Sequence, residues 1–538
     1  MFAALTTLCA ITAASAVAGL LVERRTRSWL GHYRFLALLS GIGLPFVLLL
    51  CLFRVMDVAN FPWNQARLAP LFGLRYGYSL YYLPQQGPVT GTLLGPLAYL
   101  AYFPSLIAHM PLPALLIGSG TASFYFFAPV VWIFLSGSFH RHEGRAVGVF
   151  LLVIFILGTI GSAPLDYSAF AIHADAPALG LAACACAILV CGNSASGRYS
   201  VLRLVLSSFF AVLALYTKQS TVFVVPAIAC FLWTVDGLRP AVQFIVSSAV
   251  VFLITSTVFS WMFGAQALLF GLYSYPSHHG FGTGYMQFPH RTIGSALRAI
   301  FQASYALWGY SEVLLILIAL CYILGFHVRP DRISVRGWLQ ENRWSIFHFV
   351  AVAGLPASAL FAAKVGGDTN HFSLFVYFGF IGLLLAGGRL ILQQNGVVKA
   401  VIAAAVTVLA VLIPSAVVNA HAATVTRLFG ASDTEKVYEY DKRHPGEIYF
   451  SFFPLPVLMA EGRLYHFEYA LFDRELGGAR VGNEHFFHYI PPKMEYVERN
   501  HASSPITEYL PDFSCPVQIL GLEDLDIYEK CTNRCALN

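Results

Sequence analysis

One acidic residue stands alone in the N-terminal part of the chain. Asp57 is the only carboxylate between Arg24 and His142, and it lies at the end of an apolar run. An ionisable side chain at the edge of a membrane-spanning segment costs free energy, so it usually has a function. The sequence leaves two alternatives for Asp57: a catalytic carboxylate, or a residue that ends its helix or pairs with Arg54.

Other charged residues are predicted to lie on the same side of the membrane as Asp57. Each comes from the end of a different span or from a loop above one, so together they would line a polar cavity over an apolar bundle. Such a cavity suits a substrate with a lipid tail and a phosphate: Arg and Lys would stabilise the departing phosphate, and a carboxylate would accept a proton from an incoming hydroxyl. The residues are Asp166, Asp175, Glu312, Asp368, Arg54, Arg67, Arg75, Lys218, Arg291, Arg298 and Lys364.

The composition determines the class of protein that carries these residues. The chain has 538 residues, of which 57% are hydrophobic and 11% are charged. A soluble core cannot bury that much apolar surface, so the sequence predicts an α-helical polytopic membrane protein and gives no signal for nucleic-acid binding. We predict about twelve transmembrane helices, at 3–22, 33–54, 113–136, 146–163, 174–192, 201–217, 220–236, 240–262, 305–325, 345–364, 372–392 and 398–420.

Basic residues orient these spans. Arg and Lys are concentrated on every second connection, as in 24–27, 141–145 and 329–343, which assigns those connections to the cytoplasm. A membrane domain over 1–420 is then predicted to have two large extracytoplasmic loops, at 55–112 and 263–304. An extracytoplasmic C-terminal domain of small size and mixed structure follows at 421–538. The first span is expected to be retained rather than cleaved, because it lacks a basic leader.

Within the first loop, residues 93–109 are apolar but contain two prolines and two tyrosines. This composition favours a short helix in the membrane interface over a further crossing. The loop also offers aromatic rings that could stack on a sugar. They are Trp63, Tyr76, Tyr78, Tyr81 and Tyr82, of which Tyr81 and Tyr82 are our candidates for substrate binding.

Three further polar motifs are candidates for substrate binding. In "HADAPAL", His173 and Asp175 open a span, and an N-cap is the alternative role for Asp175. Lys218 in "TKQS" follows an apolar span, so it is either a phosphate contact or an interfacial anchor. "KVGGDTNHF" would bind substrate or form only a tight polar loop, and in the second large loop Arg291 is a candidate phosphate contact. The polar residues of "KVGGDTNHF" are Lys364, Asp368, Asn370 and His371.

Cysteines and histidines were considered as structural or metal sites. Cys515, Cys531 and Cys535 lie near the end of the tail, where an oxidising compartment is predicted, so we expect a disulfide from Cys515 to one of the other two. His278 and His279 are adjacent, and adjacent histidines rarely both ligate a zinc ion. No metal ligands are assigned and no cofactor is certain, and a divalent metal ion stays an open alternative.

The order of these motifs resembles that of the GT-C superfamily of membrane glycosyltransferases, which includes protein O-mannosyltransferases and bacterial aminoarabinose transferases. The resemblance covers most of residues 50–375: a lone acid after an early span, then "GYSLYY" with "GPVTGTLLGPLAYLAYFP", "HADAPAL", "TKQS" and "KVGGDTNHF". It implies that Asp57 is the catalytic base and that a lipid-phosphate sugar is the donor. The chain departs from the family in having one extra early span and a single Asp where others have paired acids, which leaves metal dependence open.

The sequence therefore predicts an integral-membrane hexosyl- or pentosyltransferase with a GT-C-like architecture. It would move a sugar from a polyprenyl-phosphate donor to an extracytoplasmic glycan, lipid or protein acceptor by an inverting displacement. The expected location is a bacterial inner membrane, with membrane lipids as partners. The alternatives are a transporter or flippase of a lipid-linked or sugar substrate, and a polymerase or ligase of lipid-linked glycans.

Overall fold

The structure is a computed structural model of the 538-residue chain. It describes the residues 30–59, 61–136, 142–191, 200–283, 286–287, 294–302, 314, 318–319, 322, 334–364, 367, 369–392, 432–499 and 505–531. The predicted first and last spans, most of the span at 305–325 and the expected domain boundary near residue 420 lie outside these residues.

Helices form most of the part that precedes residue 393. Long apolar runs favour helices here, because a helix satisfies its backbone hydrogen bonds internally, and four of the helices include an internal proline (Pro45, Pro70, Pro129 and Pro356). The helices are α1 (Leu30–Ala59), α2 (Pro62–Gly73), α3 (Leu97–Leu100), α4 (Pro111–Ser136), α5 (His142–Ile160), α6 (Ala163–Phe170), α7 (Asp175–Val190), α8 (Val201–Leu215), α9 (Val224–Asp236), α10 (Leu238–Phe263), α11 (Ala265–Leu269), α12 (Tyr275–Ser277), α13 (Val335–Glu341), α14 (Ile346–Ala362) and α15 (Ser373–Leu392).

The chain is an integral membrane protein. Among the described residues, five helical segments are long and apolar enough to cross a membrane, and seven are if two bent helix pairs each count as one span. Two shorter apolar helices, α7 and α8, add 16 and 15 residues. Helices lie at most of the predicted positions between 33 and 392, and the number of twelve spans stays a prediction.

Two turns bring distant polar residues together. The chain bends by 99° between α5 and α6, where Pro164 occupies the first turn of α6. Proline is tolerated at that position because its missing N–H would have no partner there. A second turn separates α1 from α2. Asp57 near the end of α1 and Asp166 on α6 are therefore both placed at a turn, where polar side chains reach the edge of the bundle.

The predicted interfacial segment of the first loop consists of two short helical turns, α3 and a 3-10 helix at Phe103–Ile107. Phe103 and Ile107 are 64% and 71% exposed, as expected for side chains that reach into lipid. Gly95 lies immediately before α3, against the carbonyl of Tyr216 at the end of α8. A Cβ at Gly95 would overlap that carbonyl, so only glycine allows this approach.

The tail from residue 432 forms short helices around a small sheet. The helices are α16 (Asp433–Arg443), α17 (Pro454–Glu461), α18 (Glu468–Leu476), α19 (Asn483–His488) and α20 (Ile506–Tyr509). In the sheet the order is β3 (Ile448–Phe450), β4 (Tyr496–Glu498), β6 (Ile527–Lys530) and β5 (Phe513–Val517). The β3–β4 pair is parallel and the other pairs are antiparallel, and a disulfide joins Cys515 to Cys531. Two further strands, β1 (Gly282–Thr283) and β2 (Met286–Gln287), make a separate hairpin in the second loop.

The tail packs directly on the first loop. The Val89 N–H donates to Nδ1 of His466 (2.9 Å), and the Phe467 N–H donates to the Val89 carbonyl (2.8 Å). The Trp63 ring contacts Phe467 edge to face, and it also packs on Phe452 and Tyr469. One hydrophobic cluster therefore contains residues of both the loop and the tail.

Candidate active site

A guanidinium shared by two carboxylates lies at the end of α1. Arg54 donates from Nη1 to Oδ2 of Asp57 (2.6 Å) and from Nε to Oδ1 of Asp166 (3.0 Å), with a second bond to Oδ2 of Asp166. Asp57 and Arg54 are three residues apart, so they lie on one face of the helix. Both are buried, at 7% and 9% exposure. One guanidinium thus joins two acids that belong to different helices.

A second charged cluster forms around Asp175. Its Oδ1 accepts from the Lys218 ammonium, and its Oδ2 contacts Nδ1 of His173 (2.5 Å) and accepts from Nδ2 of Asn370 (2.9 Å). Asp175 is 1% exposed and Lys218 is 5% exposed. These contacts correct two of the alternatives considered above. The N-cap of α7 is Ala174, without a side-chain hydrogen bond, so Asp175 does not cap the helix. Lys218 is buried, so it is not an interfacial anchor.

The segment 163–175 connects the two clusters, because Asp166 belongs to one and His173 to the other. The Tyr102 hydroxyl donates to the His173 carbonyl (2.6 Å) and accepts from the His173 N–H (3.0 Å). Asn64 accepts from the Ile172 N–H (2.8 Å) and donates to the Val58 carbonyl (2.6 Å). The first loop thus fixes the backbone that positions both clusters.

Arg67 is a third cation beside this segment. Its guanidinium lies 5.6 Å from the ring centroids of Trp63 and Tyr167, and it donates to the Ile172 carbonyl (3.4 Å). In the part of the chain that the structure describes, no carboxylate pairs with Arg67. Such a guanidinium, held by aromatic faces, keeps its charge available for a phosphate.

The "KVGGDTNHF" motif is divided between two locations. Asn370 joins the Asp175 cluster, and the His371 side chain lies close enough to interact electrostatically with Lys218 and Asp175. Lys364 instead donates to the Pro276 carbonyl (3.1 Å) and pairs through its backbone with Phe281 of the second loop. A Cβ on Gly367 would lie 2.5 Å from the Ala362 carbonyl, so the motif needs glycine there for close backbone approach. Asp368 lies outside the described residues, as does Arg291.

The aromatic candidates take different positions from those expected. Tyr81 is 2% exposed, its hydroxyl donates to the Leu94 carbonyl (2.5 Å), and its ring packs against Phe263. It is therefore a packing residue with little free ring face. The Tyr82 hydroxyl accepts from the Ser79 N–H (2.7 Å), and its ring is half-buried. Trp63 supports the tail, as described above.

The charged clusters lie at one end of the spans. Lys218 precedes the span Gln219–Asp236, and Asp236 at its far end pairs with Arg343 (2.6 Å). The span Asn370–Arg389 begins beside Asp175 and ends with Arg389, which donates to the Glu341 carbonyl (2.6 Å). Eighteen to twenty helical residues extend about 27–30 Å, the thickness of a hydrocarbon core. The candidate site and the basic residues Arg343 and Arg389 are thus separated by a membrane thickness.

Residues outside our substrate-binding candidates also contribute to the site. The sequence predicts Arg54 and Arg67 only as basic residues on the same side of the membrane, and no pattern in it identifies Asn64 or Tyr102. A buried amide needs hydrogen-bond partners, but nothing in "NFPWNQARL" distinguishes Asn64 from the polar residues beside it. Among the described residues, no group of three or more His, Cys, Asp or Glu side chains could hold a metal ion. Metal dependence therefore stays untested.

Comparisons with known proteins concern the fold. No protein-family model matches the sequence, and no curated protein sequence is significantly similar to it. The structure is similar to that of ArnT from Cupriavidus metallidurans bound to undecaprenyl phosphate, with a TM-score of 0.52. The two sequences are 10% identical, and the alignment covers 91% of this chain and 98% of the ArnT chain. The apo state of the same ArnT gives a TM-score of 0.44 at 12% identity and covers 90% and 97% of the two chains. The oligosaccharyltransferase of Archaeoglobus fulgidus in complex with Zn and sulfate gives 0.40 at 13% identity, covering 84% and 67%.

The fold of the chain is therefore similar to that of ArnT, and the resemblance stated from the sequence motifs is confirmed for the fold alone. Nearly the whole length of ArnT is covered, so the likeness includes the tail as well as the helical part. At 10% identity it carries no information about which side chains act.

Proposed function

We propose that the protein transfers a sugar from a polyprenyl-phosphate carrier to an acceptor hydroxyl or amine. The observation that carries this proposal is the convergence of two buried acid–base clusters, around Arg54 and around Asp175, at the membrane edge of the fold. A charged site at that depth suits a substrate whose phosphate is fixed at the interface by a lipid tail. The bound undecaprenyl phosphate of the ArnT structure is consistent with this class of donor.

In the proposed reaction, Asp57 accepts the proton of the acceptor while the acceptor oxygen or nitrogen attacks the anomeric carbon. The bond to the carrier phosphate breaks on the opposite face of the sugar, so the configuration inverts. Lys218, Arg291 and Lys364 were the expected phosphate contacts. Since Lys218 already pairs with Asp175 and Lys364 with a carbonyl, we add Arg67 as a contact that stabilises the leaving phosphate.

The site is proposed to lie on the extracytoplasmic side of a bacterial inner membrane. The basic residues at the far ends of the spans support this orientation, because basic residues favour the cytoplasmic side. On the extracytoplasmic side nucleotide sugars are absent, so the donor would be lipid-linked. The tail, which packs on the first loop, would face the same compartment and contact the acceptor, which could be a glycan, a lipid or a protein.

Sugar transfer by purified protein in lipid nanodiscs tests the proposal. A panel of radiolabelled polyprenyl-phosphate monosaccharides would be supplied to the wild type and to Asp57→Asn. Loss of a general base lowers the rate by roughly 10²–10⁴-fold, so we expect turnover to fall by about that factor while donor binding persists. Asp236→Asn is the matched control, because it removes a half-buried paired acid at the other end of the spans.

The outcomes distinguish the alternatives. Equal turnover in the wild type and in Asp57→Asn would preserve the enzyme class but move the base to another acid, with Asp166 and Asp175 as the next candidates. Absence of turnover with every donor, combined with movement of a lipid or solute across the bilayer, would replace the transferase by a transporter or flippase. Formation of longer lipid-linked glycans would indicate a polymerase or ligase.

A further inference from the structure

A small cavity lies where the first loop, the segment after α10 and the tail meet. It is lined by the loop segment 88–92, by Phe270 and Tyr275, and by Arg474 of α18. The space free of protein atoms is about 350 Å³ including the open mouth, and its enclosed part is narrow. The cavity thus has room for a small polar group and not for a whole sugar.

Arg474 is a buried cation without an anion. It is 7% exposed, and within the described parts of the chain its guanidinium has no carboxylate partner and no hydrogen-bond acceptor. Its guanidinium carbon lies 5.6 Å from the ring centroid of Phe270. Burial lowers the pKa of Arg474 from its ordinary value, and its charge acts on Tyr275 as well as on His466 and His485. A buried charge is costly unless a partner compensates it, so a ligand is the natural source of the missing anion.

Tyr275 supplies a second donor without a partner. It is 5% exposed, and among the described residues its hydroxyl has no hydrogen-bond partner. Burial, with a smaller contribution from Asp473, raises the pKa of Tyr275, so the hydroxyl keeps its proton and can donate. The pKa of Asp473 is itself raised by burial to about 7, which favours its neutral form beside the cavity. An unsatisfied buried hydroxyl is destabilising, and a ligand oxygen that accepts from it would remove this cost. Two buried donors without acceptors therefore belong to one cavity.

We propose that this cavity binds an oxyanion, a carboxylate or a phosphate group, through Arg474 and Tyr275. Thr90 and Thr92 line the same cavity and bring two further hydroxyls. Gly91, between the two threonines, has a φ of +70°. A Cβ on Gly91 would lie 3.3 Å from the Cβ of Ala470 on α18. The loop can thus lie close against the tail only with glycine at this position. The cavity is a built feature of the loop–tail interface.

The cavity adjoins the candidate active site through the first loop. Gln219, the residue after Lys218, donates to the Leu93 carbonyl (2.8 Å), one residue beyond the cavity lining. The oxyanion could therefore be the phosphate of the lipid carrier or an acidic group on the acceptor. The identity of the molecule that carries the oxyanion rests on the function proposed above. The binding of an oxyanion to the cavity does not, because it requires no turnover.

Binding of inorganic phosphate to the full-length protein in nanodiscs tests the site. The unfolding temperature would be measured against phosphate concentration at constant ionic strength, with chloride as the replaced ion, because a ligand of the folded state raises it according to its Kd. The variants are Arg474→Gln and Tyr275→Phe, and Arg463→Gln, which changes an exposed tail arginine, is the control. A second titration uses undecaprenyl phosphate.

We expect Arg474→Gln to weaken phosphate binding about tenfold or more and Tyr275→Phe to weaken it several-fold, with Arg463→Gln like the wild type. Tyr275→Phe removes a hydroxyl that has no partner among the described residues, so this variant should fold normally. If Arg474→Gln does not fold, the phosphate affinity of Tyr275→Phe alone tests the site. Phosphate binding that is absent from the wild type, or equal in all variants, would overturn the site. If Arg474→Gln lowers the affinity for undecaprenyl phosphate by the same factor as the affinity for inorganic phosphate, the site binds the carrier phosphate. If the affinity for undecaprenyl phosphate is unchanged, the site binds a different anionic molecule. Missing sugar transfer would overturn the proposed function without affecting this result.

Discussion

Arg54 decides how the two acids at the end of α1 can act. Because one guanidinium contacts both Asp57 and Asp166, each acid is held in place. Asp166 uses both of its oxygens on Arg54, whereas Asp57 uses Oδ2. This difference suits a division of roles in which Asp166 fixes Arg54 and Asp57 takes the proton.

We therefore expect Asp166→Asn to retain clearly more turnover than Asp57→Asn. The amide introduced by Asp166→Asn could still accept a hydrogen bond from Arg54, so the geometry would persist and we expect a loss of about tenfold or less, against roughly 10²–10⁴-fold for the base. Initial rates of sugar transfer at saturating donor check this. A larger loss in Asp166→Asn than in Asp57→Asn would exchange the two roles.

The Asp175 cluster makes a prediction about stability. Asp175→Asn leaves the buried Lys218 ammonium without its carboxylate, and removal of one partner of a buried pair costs about 3–5 kcal/mol. Adding Lys218→Met removes the stranded charge, so the double variant should be more stable than Asp175→Asn. Thermal unfolding of the single and double variants in one nanodisc preparation measures the coupling.

An exposed ion pair of the tail is the control for this cycle. Lys436 and Asp524 pair at 2.5 Å, but their side chains are 25% and 67% exposed, and such pairs contribute about 0–1 kcal/mol. Asp524→Asn should therefore hardly change the unfolding temperature. Equal effects at the two pairs would mean that the Asp175 cluster is hydrated rather than buried.

At the scale of elements, hydropathy and charge located most helices between residues 33 and 392. They also placed Asp57, Asp175 and Lys218 at span ends, because a charge is tolerated at the edge of an apolar run and not within it. The prolines and tyrosines of residues 93–109 predicted short helical turns, which the structure contains, and their position in the membrane interface stays a prediction. These features are local in sequence, and local patterns are what a single sequence contains.

Contacts between distant elements could not be predicted in this way. Arg54 and Asp166 are 112 residues apart and meet only because two helix pairs turn at the same edge. Trp63 and Tyr81 are of the residue types that stack on sugars. In the structure, however, Trp63 packs on the tail and Tyr81 is buried against Phe263. Whether an aromatic ring is buried depends on its neighbours in space. A tyrosine suits both a buried and an exposed position, so its presence in the sequence does not predict which one it takes.

The contact between the first loop and α8 gives a prediction at this scale. Gly95→Ala would push the loop away from the Tyr216 carbonyl and break its hydrogen bond from the Leu97 N–H (3.2 Å). We expect faster hydrogen exchange in residues 91–100 and an unfolding temperature lowered by several degrees. Gly120→Ala in α4, where a Cβ would meet nothing within 4 Å, should be neutral or stabilising. Unchanged exchange in Gly95→Ala would mean that the loop does not depend on this approach.

At the scale of the whole molecule, the tail and the first loop are one packed unit. Besides the contacts of Val89 and Trp63, Gln85 donates to the Arg480 carbonyl (3.1 Å) and accepts from the Gly482 N–H (3.0 Å). The Leu464 N–H donates to the Tyr78 hydroxyl (3.1 Å). The same loop supplies Asn64, which fixes the backbone between the two charged clusters. Loosening of the tail should therefore disturb the loop, and with it the candidate site.

Buried acids give the tail a pH dependence of known sign. Burial, with a smaller contribution from Glu468, raises the pKa of Glu498 to about 8 from an ordinary value of 4.5. Between these values the folded state keeps a proton that the unfolded chain has lost, so stability decreases as pH rises through this window. Burial also raises the pKa of Asp441 to about 9 and of Asp473 to about 7, with the same sign. Burial lowers the pKa of His466 from 6.5 to about 3, so His466 makes stability increase with pH. This increase is complete above pH 6.5.

We therefore expect the tail to lose protection from hydrogen exchange between about pH 6.5 and 8, once rates are corrected for intrinsic exchange. Glu498→Gln should flatten this dependence and increase protection at about pH 8, because the amide resembles the protonated acid and can still accept from the Phe452 N–H. Glu529→Gln changes an exposed acid paired across the sheet with Tyr496 and should behave like the wild type. If the loop and the tail form one unit, residues 63–90 should follow the same pH profile as β4. Loss of protection in β4 with an unchanged loop would show that the tail opens alone, and the candidate site would then be independent of it.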